Sequence, residues 1–269
     1  MKKITHLFSD LDGTLFVDEQ VYRKDVEAIH AFIASGGEFH VATGRTDIEI
    51  LNLSIEEHVP VHFRVSNNGA TVVTPEDGKI FERLLPKPAT KFIADFISEN
   101  YGLFGDIECT TPDLTYFLYE PEDWVLSYKA DSYKIDPEVI HKLGHSIDSI
   151  KFFIAGQEDV IERMVHHFDT DFKDTIAYFN DINAVNIVPA NVSKGTGINR
   201  ILHDYKINRN QIAVIGDAAN DIPMFGVTPH SFTFTRSKQF VKDTAQYHVN
   251  SVADAIERIM AYNERVDKR

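Results

Sequence analysis

The 269-residue sequence is long enough for one large domain or two modest ones, and its 43% hydrophobic and 25% charged residues are ordinary for a globular protein. A formal net charge of −14 argues against non-specific nucleic-acid binding, and an anionic ligand would need a local positive centre. No run approaches the roughly 18 apolar residues of a membrane span, no signal-peptide pattern follows Met1, and the single cysteine, Cys109, cannot form an internal disulfide. We therefore expect a cytoplasmic protein that binds neither membranes nor nucleic acids; the sequence leaves its oligomeric state open.

The first third of the chain alternates between short apolar strands and helical patterns. Residues 4–9, "EFHVATGR" and "VHFRVSNNGA" are predicted strands, and "ATVVTPEDGKIFERLL" is a predicted hairpin around Pro75 to Gly78. Two helices are indicated by apolar residues at helical spacing. These residues are Val26, Ile29, Phe32 and Ile33 for the first helix, and Ile48, Leu51 and Ile55 for the second.

The last third returns to the same alternation. "QIAVIGD" is typical of a buried strand, "HSFTFT" is another strand, and a helix is indicated between Ile198 and Tyr205. Ser251 is the predicted N-cap of a final helix that reaches about Tyr262. Strands and helices in alternation predict an α/β fold with a doubly wound, Rossmann-like parallel sheet.

The middle of the chain differs in composition. Aromatic and polar residues dominate its strands, such as "LTYFLYEPEDW" and "SIKFFIAG", and helical patterns at 90–100, 137–147 and 158–168 separate them. This pattern predicts an α+β domain, residues 85–185, inserted into a core of residues 1–84 and 186–269, with linkers near 84–88 and 185–190.

Polar residues gather where the predicted core strands end. Asp10, Thr43 and Asp217 each close a strand, and Lys194 opens a helix at "SKGTG". Ligands of parallel sheets bind beyond the carboxyl ends of the strands, so these side chains should meet at one edge. Two neighbouring carboxylates repel unless a cation lies between them, and Mg²⁺ prefers carboxylate and phosphate oxygens. The natural ligand of such a site is a phosphoryl group.

Each of these residues has an ordinary structural interpretation when it is taken alone. Asp-x-Asp-Gly is most often a turn, and the later oxygen ligands of a calcium loop are absent. Thr43 alone is a good strand residue, and Lys194 alone is a solvated charge. Their shared order and their positions at strand ends favour a site.

Four segments, "DLDGT", "ATGR", "SKG" and "GDAANDIPM", resemble the four motifs of the haloacid dehalogenase-like superfamily. An insert between the second and third motifs resembles the layout of its Cof-like branch, the subfamily IIB sugar-phosphate phosphatases. The resemblance covers nearly the whole chain. It implies a Rossmann-like core with an inserted cap domain that selects the substrate.

The resemblance also implies a role for each motif residue. Asp10 would be the nucleophile that forms an aspartyl-phosphate, and Asp12 would be the general acid and then the general base. Mg²⁺ would be held by the Asp10 carboxylate, the Asp12 backbone carbonyl and Asp217, and Asp221 would support Lys194 or a metal-bound water. The phosphate-binding groups would be Leu11 through its amide, Thr43, Gly44, Lys194 and Asn220.

Three further residues are candidates for substrate contact: Arg45, Asn68 and Arg236. Asn68 lies in a turn after a strand, where Asn often serves backbone geometry. Arg236 lies in "HSFTFTRS", where relatives usually carry Gly and then Asn-Ala, so it either meets a second anionic group of the substrate or is a solvated residue. Elsewhere, His6 and His40 are expected to be hydrogen-bonded core residues, and the insert aromatics are expected to pack inside the insert. These aromatics are Tyr116, Phe117, Tyr119 and Trp124.

The function that the sequence favours is Mg²⁺-dependent hydrolysis of small-metabolite phosphomonoesters, with sugar phosphates as the expected substrates. One alternative is a phosphomutase on the same scaffold, which would pass its phosphoryl group to a second sugar. Another is a sensor that binds phosphate ligands without catalysis, although a sensor would need neither Asp10 nor Asp12.

Overall fold

The structure is a computed structural model and describes residues 2–121, 133–181 and 183–268. The chain divides into two compact units, Met1–Phe81 with Ser193–Arg269, and Glu82–Val192. None of the helices described combines the length and the apolar character needed to cross a bilayer. Trp124, one of the aromatic residues considered above, lies outside the described residues.

Sixteen strands are described. In chain order they are β1 His6–Ser9, β2 Phe16–Val17, β3 Gln20–Val21, β4 Glu38–Ala42, β5 Arg64–Ser66, β6 Thr71–Thr74, β7 Gly78–Glu82, β8 Phe104–Thr110, β9 Thr115–Phe117, β10 Tyr133–Ile135, β11 Lys151–Gly156, β12 Thr175–Asp181, β13 Ala184–Pro189, β14 Ile212–Ile215, β15 Ser231–Phe234 and β16 Tyr247–Val249.

Eight α-helices accompany them in the described ranges. They are α1 Arg23–Ala34, α2 Asp47–Glu56, α3 Lys87–Glu99, α4 Glu158–Asp171, α5 Lys194–Asp204, α6 Ile222–Phe225, α7 Gln239–Lys242 and α8 Val252–Asp267. The last helix begins at the predicted cap, since the Ser251 hydroxyl accepts a hydrogen bond from the Asp254 amide.

The first unit is built on an eight-stranded sheet in the order β16-β15-β14-β1-β4-β5-β6-β7. The strands from β16 to β5 run parallel, and β6 turns back antiparallel to β5. β1 lies between β14 and β4, so the strand order reverses beside it, and this is where a doubly wound sheet opens a crevice. The predicted α/β fold with a parallel sheet is confirmed.

Successive side chains of β1 point to opposite faces of this sheet and pack in two separate hydrophobic cores. Leu7 packs in a cluster with Ile29 of α1 and Ile256 of α8, whereas Phe8 packs in a second cluster with Ile198 of α5. Strands buried on both faces explain why the sequence shows continuous apolar runs instead of alternation.

The second unit is an α+β unit with a six-stranded sheet in the order β10-β9-β8-β11-β13-β12. It has its own core, which includes Ile93 of α3, Phe152 of β11 and Met164 of α4. The sequence placed the end of this unit at residue 185, but β13 pairs with β11 and β12, so the chain returns to the first unit only at Ser193. The start of the second unit differs less from the prediction, because the unit begins at Glu82 instead of residue 85.

His6 and His40 are hydrogen-bonded core residues, as expected. The Phe63 amide donates to His40 Nδ1, so Nε2 carries the proton of the neutral ring and lies 3.1 Å from His6 Nδ1. Glu38 lies close enough to complete a group of metal-binding residue types. A histidine that binds a metal through Nε2 needs a proton on Nδ1, and the amide that points at Nδ1 of His40 is incompatible with that proton. We therefore interpret the group as a hydrogen-bonded pair.

The predicted second helix is present as α2, whereas one other helix prediction is wrong. The residues that marked α2, namely Ile48, Leu51 and Ile55, lie on its exposed side, and Ile50 and Leu53 are buried. The helical pattern at 137–147 forms only a short 3₁₀ helix, Pro137–His141, because Gly144 has a positive φ of 75° and the chain turns there.

Candidate active site

Asp10 lies at the point where the strand order reverses. It directly follows β1, and its amide donates to the carbonyl of Ile215, the last residue of β14. Asp217 lies two residues beyond that strand end, so parallel pairing alone brings the two acidic segments together although they are far apart in sequence. Asp10 is 4% exposed, which makes its carboxylate a buried group at the edge of the sheet.

The loop after Asp10 is tied to Asp217. The carbonyl of Leu11 accepts hydrogen bonds from the amides of Thr14, Leu15 and Phe16, which fold residues 11–16 into a tight turn. Thr14 Oγ1 donates to Asp217 Oδ1 over 2.8 Å. Gly13 has a φ of 77°, and a Cβ atom there would lie 2.5 Å from Asp217 Oδ2, so this position favours glycine both by conformation and by space.

Lys194 connects two buried carboxylates. Its ammonium nitrogen lies 2.7 Å from Asp10 Oδ1 and 2.7 Å from Asp221 Oδ1, and its side chain is fully buried. Asp221 Oδ2 accepts from the amides of Asp217 and Ala218, both at 2.9 Å. Ser193 caps α5 in a capping box with Thr196, and this cap fixes the start of the helix that carries Lys194.

The charges of this cluster shift its pKa values. Burial and the nearby Asp221 raise the pKa of Asp10 well above its usual range, although Lys194 opposes them. Burial alone would lower the pKa of Lys194, but the two carboxylates outweigh it and the pKa lies above its usual value. Burial also raises the pKa of Asp217, against the Thr14 hydrogen bond and the charge of Arg236. One buried ammonium thus faces three carboxylates, and the cluster has an excess of negative charge.

A divalent cation fits this cluster. Asp10, Asp217 and Asp221 each offer a carboxylate oxygen, and these atoms lie within 4.8 Å of one another. Both oxygens of Asp221 are already engaged, whereas no described residue donates a hydrogen bond to Oδ2 of Asp10 or of Asp217. Hard carboxylate donors with an excess of negative charge suit Mg²⁺-type ions. Asp10 and Asp217 are therefore the fitting ligands, and Asp221 holds Lys194.

Asp12 differs from Asp10 in its surroundings. Its side chain is 58% exposed and is held by Arg45, whose Nη2 lies 2.6 Å from Oδ1 and whose Nε lies 3.0 Å from Oδ2. The Arg45 guanidinium also lies over the Phe16 ring. The sequence suggested Arg45 as a substrate contact; in the structure it holds the Asp12 carboxylate in a two-point pair.

The phosphate-binding candidates lie around the same edge. No described residue accepts a hydrogen bond from the Leu11 amide, and Thr43 is buried at the end of β4. Asn68 has a positive φ of 54°, and its Oδ1 accepts from Asn220 Nδ2 over 3.2 Å. A Cβ atom on Gly44 would lie 3.3 Å from Asn68 Nδ2. The structure thus brings Gly44, Asn68 and Asn220 together, and the left-handed conformation of Asn68 aims its amide at this edge.

Arg236 is exposed but has specific contacts. Its Nη2 donates to the Gly13 carbonyl over 2.5 Å, and its guanidinium carbon lies 3.8 Å from the centre of the Phe234 ring. Arg236 is thus exposed to solvent and is also held by contacts with Gly13 and Phe234. Its contact with the motif loop, like the Thr14 contact with Asp217, was missed by reasoning from the sequence, although Gly13 and Thr14 stand inside "DLDGT".

A family model described as haloacid dehalogenase-like hydrolase matches residues 7–259. The chain belongs to this family. The matched residues include all four motifs and the insert between the second and the third, so the resemblance noted in the sequence is confirmed.

The relatives of this haloacid dehalogenase-like hydrolase agree with that assignment. It is 28% identical to a protein of Mycoplasma pneumoniae over 82% of each chain, and 24% identical to the 5-amino-6-(5-phospho-D-ribitylamino)uracil phosphatase YwtE of Bacillus subtilis over 90% of this chain and 91% of that one. Its fold matches that of the HAD subclass IIB sugar phosphatase BT4131 with a TM-score of 0.77 at 19% identity, over 96% of this chain and 98% of the other. The expected enzyme class, a phosphoric monoester hydrolase, is confirmed at the level of the family.

Proposed function

We propose that this haloacid dehalogenase-like hydrolase is a Mg²⁺-dependent phosphatase that hydrolyses small-metabolite phosphomonoesters through an aspartyl-phosphate on Asp10. The observation that carries the proposal is the contrast between two aspartates two residues apart. Asp10 is buried, forms an ion pair with Lys194 and lies beside Asp217. The Asp12 carboxylate, by contrast, is exposed and forms an ion pair with Arg45. A nucleophile and a proton carrier need these two different surroundings.

In the first half-reaction, a carboxylate oxygen of Asp10 attacks phosphorus and the bond from phosphorus to the leaving alcohol breaks. Asp12, in its protonated form, gives its proton to the departing oxygen. Lys194 holds Asp10 Oδ1 through a 2.7 Å ion pair and so fixes the orientation of the Asp10 carboxylate. Bound Mg²⁺, held by Asp10, Asp217 and the Asp12 backbone carbonyl, would neutralise charge on the transferring phosphoryl oxygens.

In the second half-reaction, the Asp12 carboxylate takes a proton from water, the water oxygen attacks phosphorus, and the bond to Asp10 breaks. Inorganic phosphate leaves, Asp10 regains its carboxylate, and Asp12 regains its proton. The two-point pair with Arg45 holds the Asp12 carboxylate in place for this step. Arg45 is thus a positioning residue for Asp12 in this proposal.

The remaining groups at the edge would hold the phosphoryl oxygens. The Leu11 amide is unpaired among the described residues, and Thr43, Gly44, Asn220 and the third N–H of Lys194 lie around the same strand ends. Such donors act mainly by positioning and by stabilising charge. Asn68, which is bonded to Asn220, supports this set from the neighbouring turn.

The substrate class rests on the relatives and on the insert. YwtE is named for a phosphorylated ribityl compound and BT4131 for sugar phosphates, so we propose a sugar or polyol phosphate for this chain. The second unit, Glu82–Val192, is the proposed substrate-selecting unit. A cytoplasmic location is part of the proposal, since the one cysteine is a buried free thiol.

The test is release of inorganic phosphate from a panel of sugar, polyol and aryl phosphates, with and without Mg²⁺. We expect Mg²⁺-dependent release by the wild type and none by Asp10→Asn, while the exposed control Asp243→Asn keeps full activity. Isomerised sugar phosphate without phosphate release would indicate a mutase. Binding without turnover across the panel would indicate a sensor.

A further inference from the structure

We propose that Arg236 is a positioning residue that connects the end of β15 to the loop after Asp10. This contact would keep Asp10 and Asp12 in the positions that catalysis needs. The proposal rests on the proposed phosphatase function and adds a residue to its machinery. It starts from the hydrogen bond between Arg236 Nη2 and the Gly13 carbonyl, which joins residues 223 positions apart in sequence.

Arg236 itself is held from two sides. It follows β15 in a turn that is closed by the Ser237 amide, which donates to the Phe234 carbonyl over 3.1 Å. Its guanidinium lies on the face of the Phe234 ring, and Phe234 is fully buried in the sheet core. Cation–π stacking on a fixed ring limits the rotamers of the arginine and aims its N–H groups at the Gly13 carbonyl.

The end of β15 approaches Asp217 by two routes. Thr233 Oγ1 donates to the carbonyl of Gly216, the residue before Asp217, over 2.8 Å. Arg236 holds the carbonyl of Gly13, whose α-carbon faces the Asp217 carboxylate so closely that a Cβ atom would collide with it. β15 thus contacts both the backbone that carries Asp217 and the loop that packs against its side chain.

The loop held by Arg236 connects Asp12 to Thr14, the residue that contacts Asp217. Asp12 precedes Gly13, and Thr14, which donates to Asp217, follows it. Without the guanidinium, no described residue would donate to the Gly13 carbonyl. The turn would then depend on the amide bonds to the Leu11 carbonyl, on the bond from the Gly13 amide to the Phe16 carbonyl and on the Thr14 contact with Asp217. The expected consequence is a loop that opens more often, which misplaces Asp12 in both half-reactions without weakening the ground-state binding of a phosphate ester.

The experiment compares wild type, Arg236→Ala, Arg236→Lys and the control Arg258→Ala, an exposed arginine on α8. Two readouts are measured: kcat and KM for a neutral sugar phosphate and for a substrate with a second anionic group, and amide hydrogen exchange of the peptide covering residues 11–17. For Arg236→Ala we expect kcat to fall roughly tenfold on both substrates and exchange to rise roughly tenfold, each equivalent to about 1.4 kcal/mol. KM should stay within about twofold. Arg236→Lys keeps the charge but not the planar stack on Phe234. Its kcat and its exchange rate should lie between those of the wild type and of Arg236→Ala.

Three results would overturn the inference. A rise in KM confined to the substrate with the second anion, with exchange unchanged, would make Arg236 a substrate contact. Behaviour equal to that of Arg258→Ala would make it a surface residue, and full recovery in Arg236→Lys would make its charge alone responsible. If the wild type itself releases no phosphate from any substrate, the proposed function fails, and the exchange readout still decides whether Arg236 holds the loop.

Discussion

Gly13→Ala is the substitution that most sharply tests how the loop and Asp217 fit together. The new Cβ atom would lie 2.5 Å from Asp217 Oδ2 and 2.9 Å from both Cγ and Oδ1. Real Cβ atoms do not approach so closely, so either the Asp217 carboxylate or the loop must move. The carboxylate is itself fixed by Thr14 at 2.8 Å, which means that movement breaks this hydrogen bond.

The cost has two parts that can be separated. Alanine in the left-handed conformation, here a φ of 77°, costs about 1–2 kcal/mol relative to glycine. Loss of the Thr14 hydrogen bond to a charged acceptor adds about 1.5–3 kcal/mol. Gly78 provides a matched control, because its φ is 69° and a Cβ atom there would meet nothing within 4 Å. Gly78→Ala therefore incurs only the conformational cost.

The assay is urea denaturation of both variants together with a Mg²⁺ titration of phosphate release. We expect Gly78→Ala to lose about 1–2 kcal/mol of unfolding free energy with unchanged Mg²⁺ dependence. Gly13→Ala should lose about 2.5–5 kcal/mol and require at least roughly tenfold more Mg²⁺, because the proposed metal ligand Asp217 would be displaced. Equal stability losses and equal Mg²⁺ requirements in the two variants would refute the packing argument.

Three further predictions follow from the site and the core. Arg45→Lys should lower kcat by roughly tenfold with little change in KM, because a point charge cannot hold both oxygens of Asp12; unchanged kcat in steady-state assays would contradict this. Replacing Mg²⁺ with Ca²⁺ should inhibit phosphate release, since Ca²⁺ takes longer and more numerous oxygen contacts, and full activity in Ca²⁺ would rule out the proposed geometry. Burial lowers the pKa of His40 well below 6.5 and that of His6 more modestly, so the unfolded chain binds more protons and stability should fall as pH drops below about 6.5. Urea midpoints at pH 7.5 and pH 5.5, about one unit either side of that value, check this for wild type and His6→Gln, which should show a shallower loss.

Most of the fold follows from local patterns in the sequence. The apolar runs at β1, β4 and β14 are continuous because the sheet is covered on both faces, and that same property predicts their parallel pairing. Ile48, Leu51 and Ile55 indicated α2 by their helical spacing, but only the packing of Ile50 and Leu53 shows which side of the helix is buried. Periodicity identifies a helix more reliably than it identifies the buried face.

The sequence also predicts only part of the candidate site. The strand-end rule brings Asp10, Thr43 and Asp217 to one edge from sequence order alone. The side-chain pairs there depend on rotamers and on small backbone offsets that no spacing encodes. Arg45 stands two residues after Thr43 and could equally have pointed at a substrate, but the structure pairs it with Asp12. Arg236 was considered only as a substrate contact or a solvated residue, whereas its contact with Gly13 depends on the turn after β15.

The most direct test of the account is to trap the phosphoryl group on the enzyme. Asp12→Asn should keep most of the first step with an aryl phosphate, whose leaving group needs no proton, but should slow the second step by roughly 10²–10⁴. Acid quenching of this variant with a labelled aryl phosphate and Mg²⁺, followed by mass analysis of its peptides, should find one phosphoryl group per chain on the peptide that contains Asp10. A phosphoryl group on any other residue, or none while phosphate is still released, would contradict the proposed mechanism.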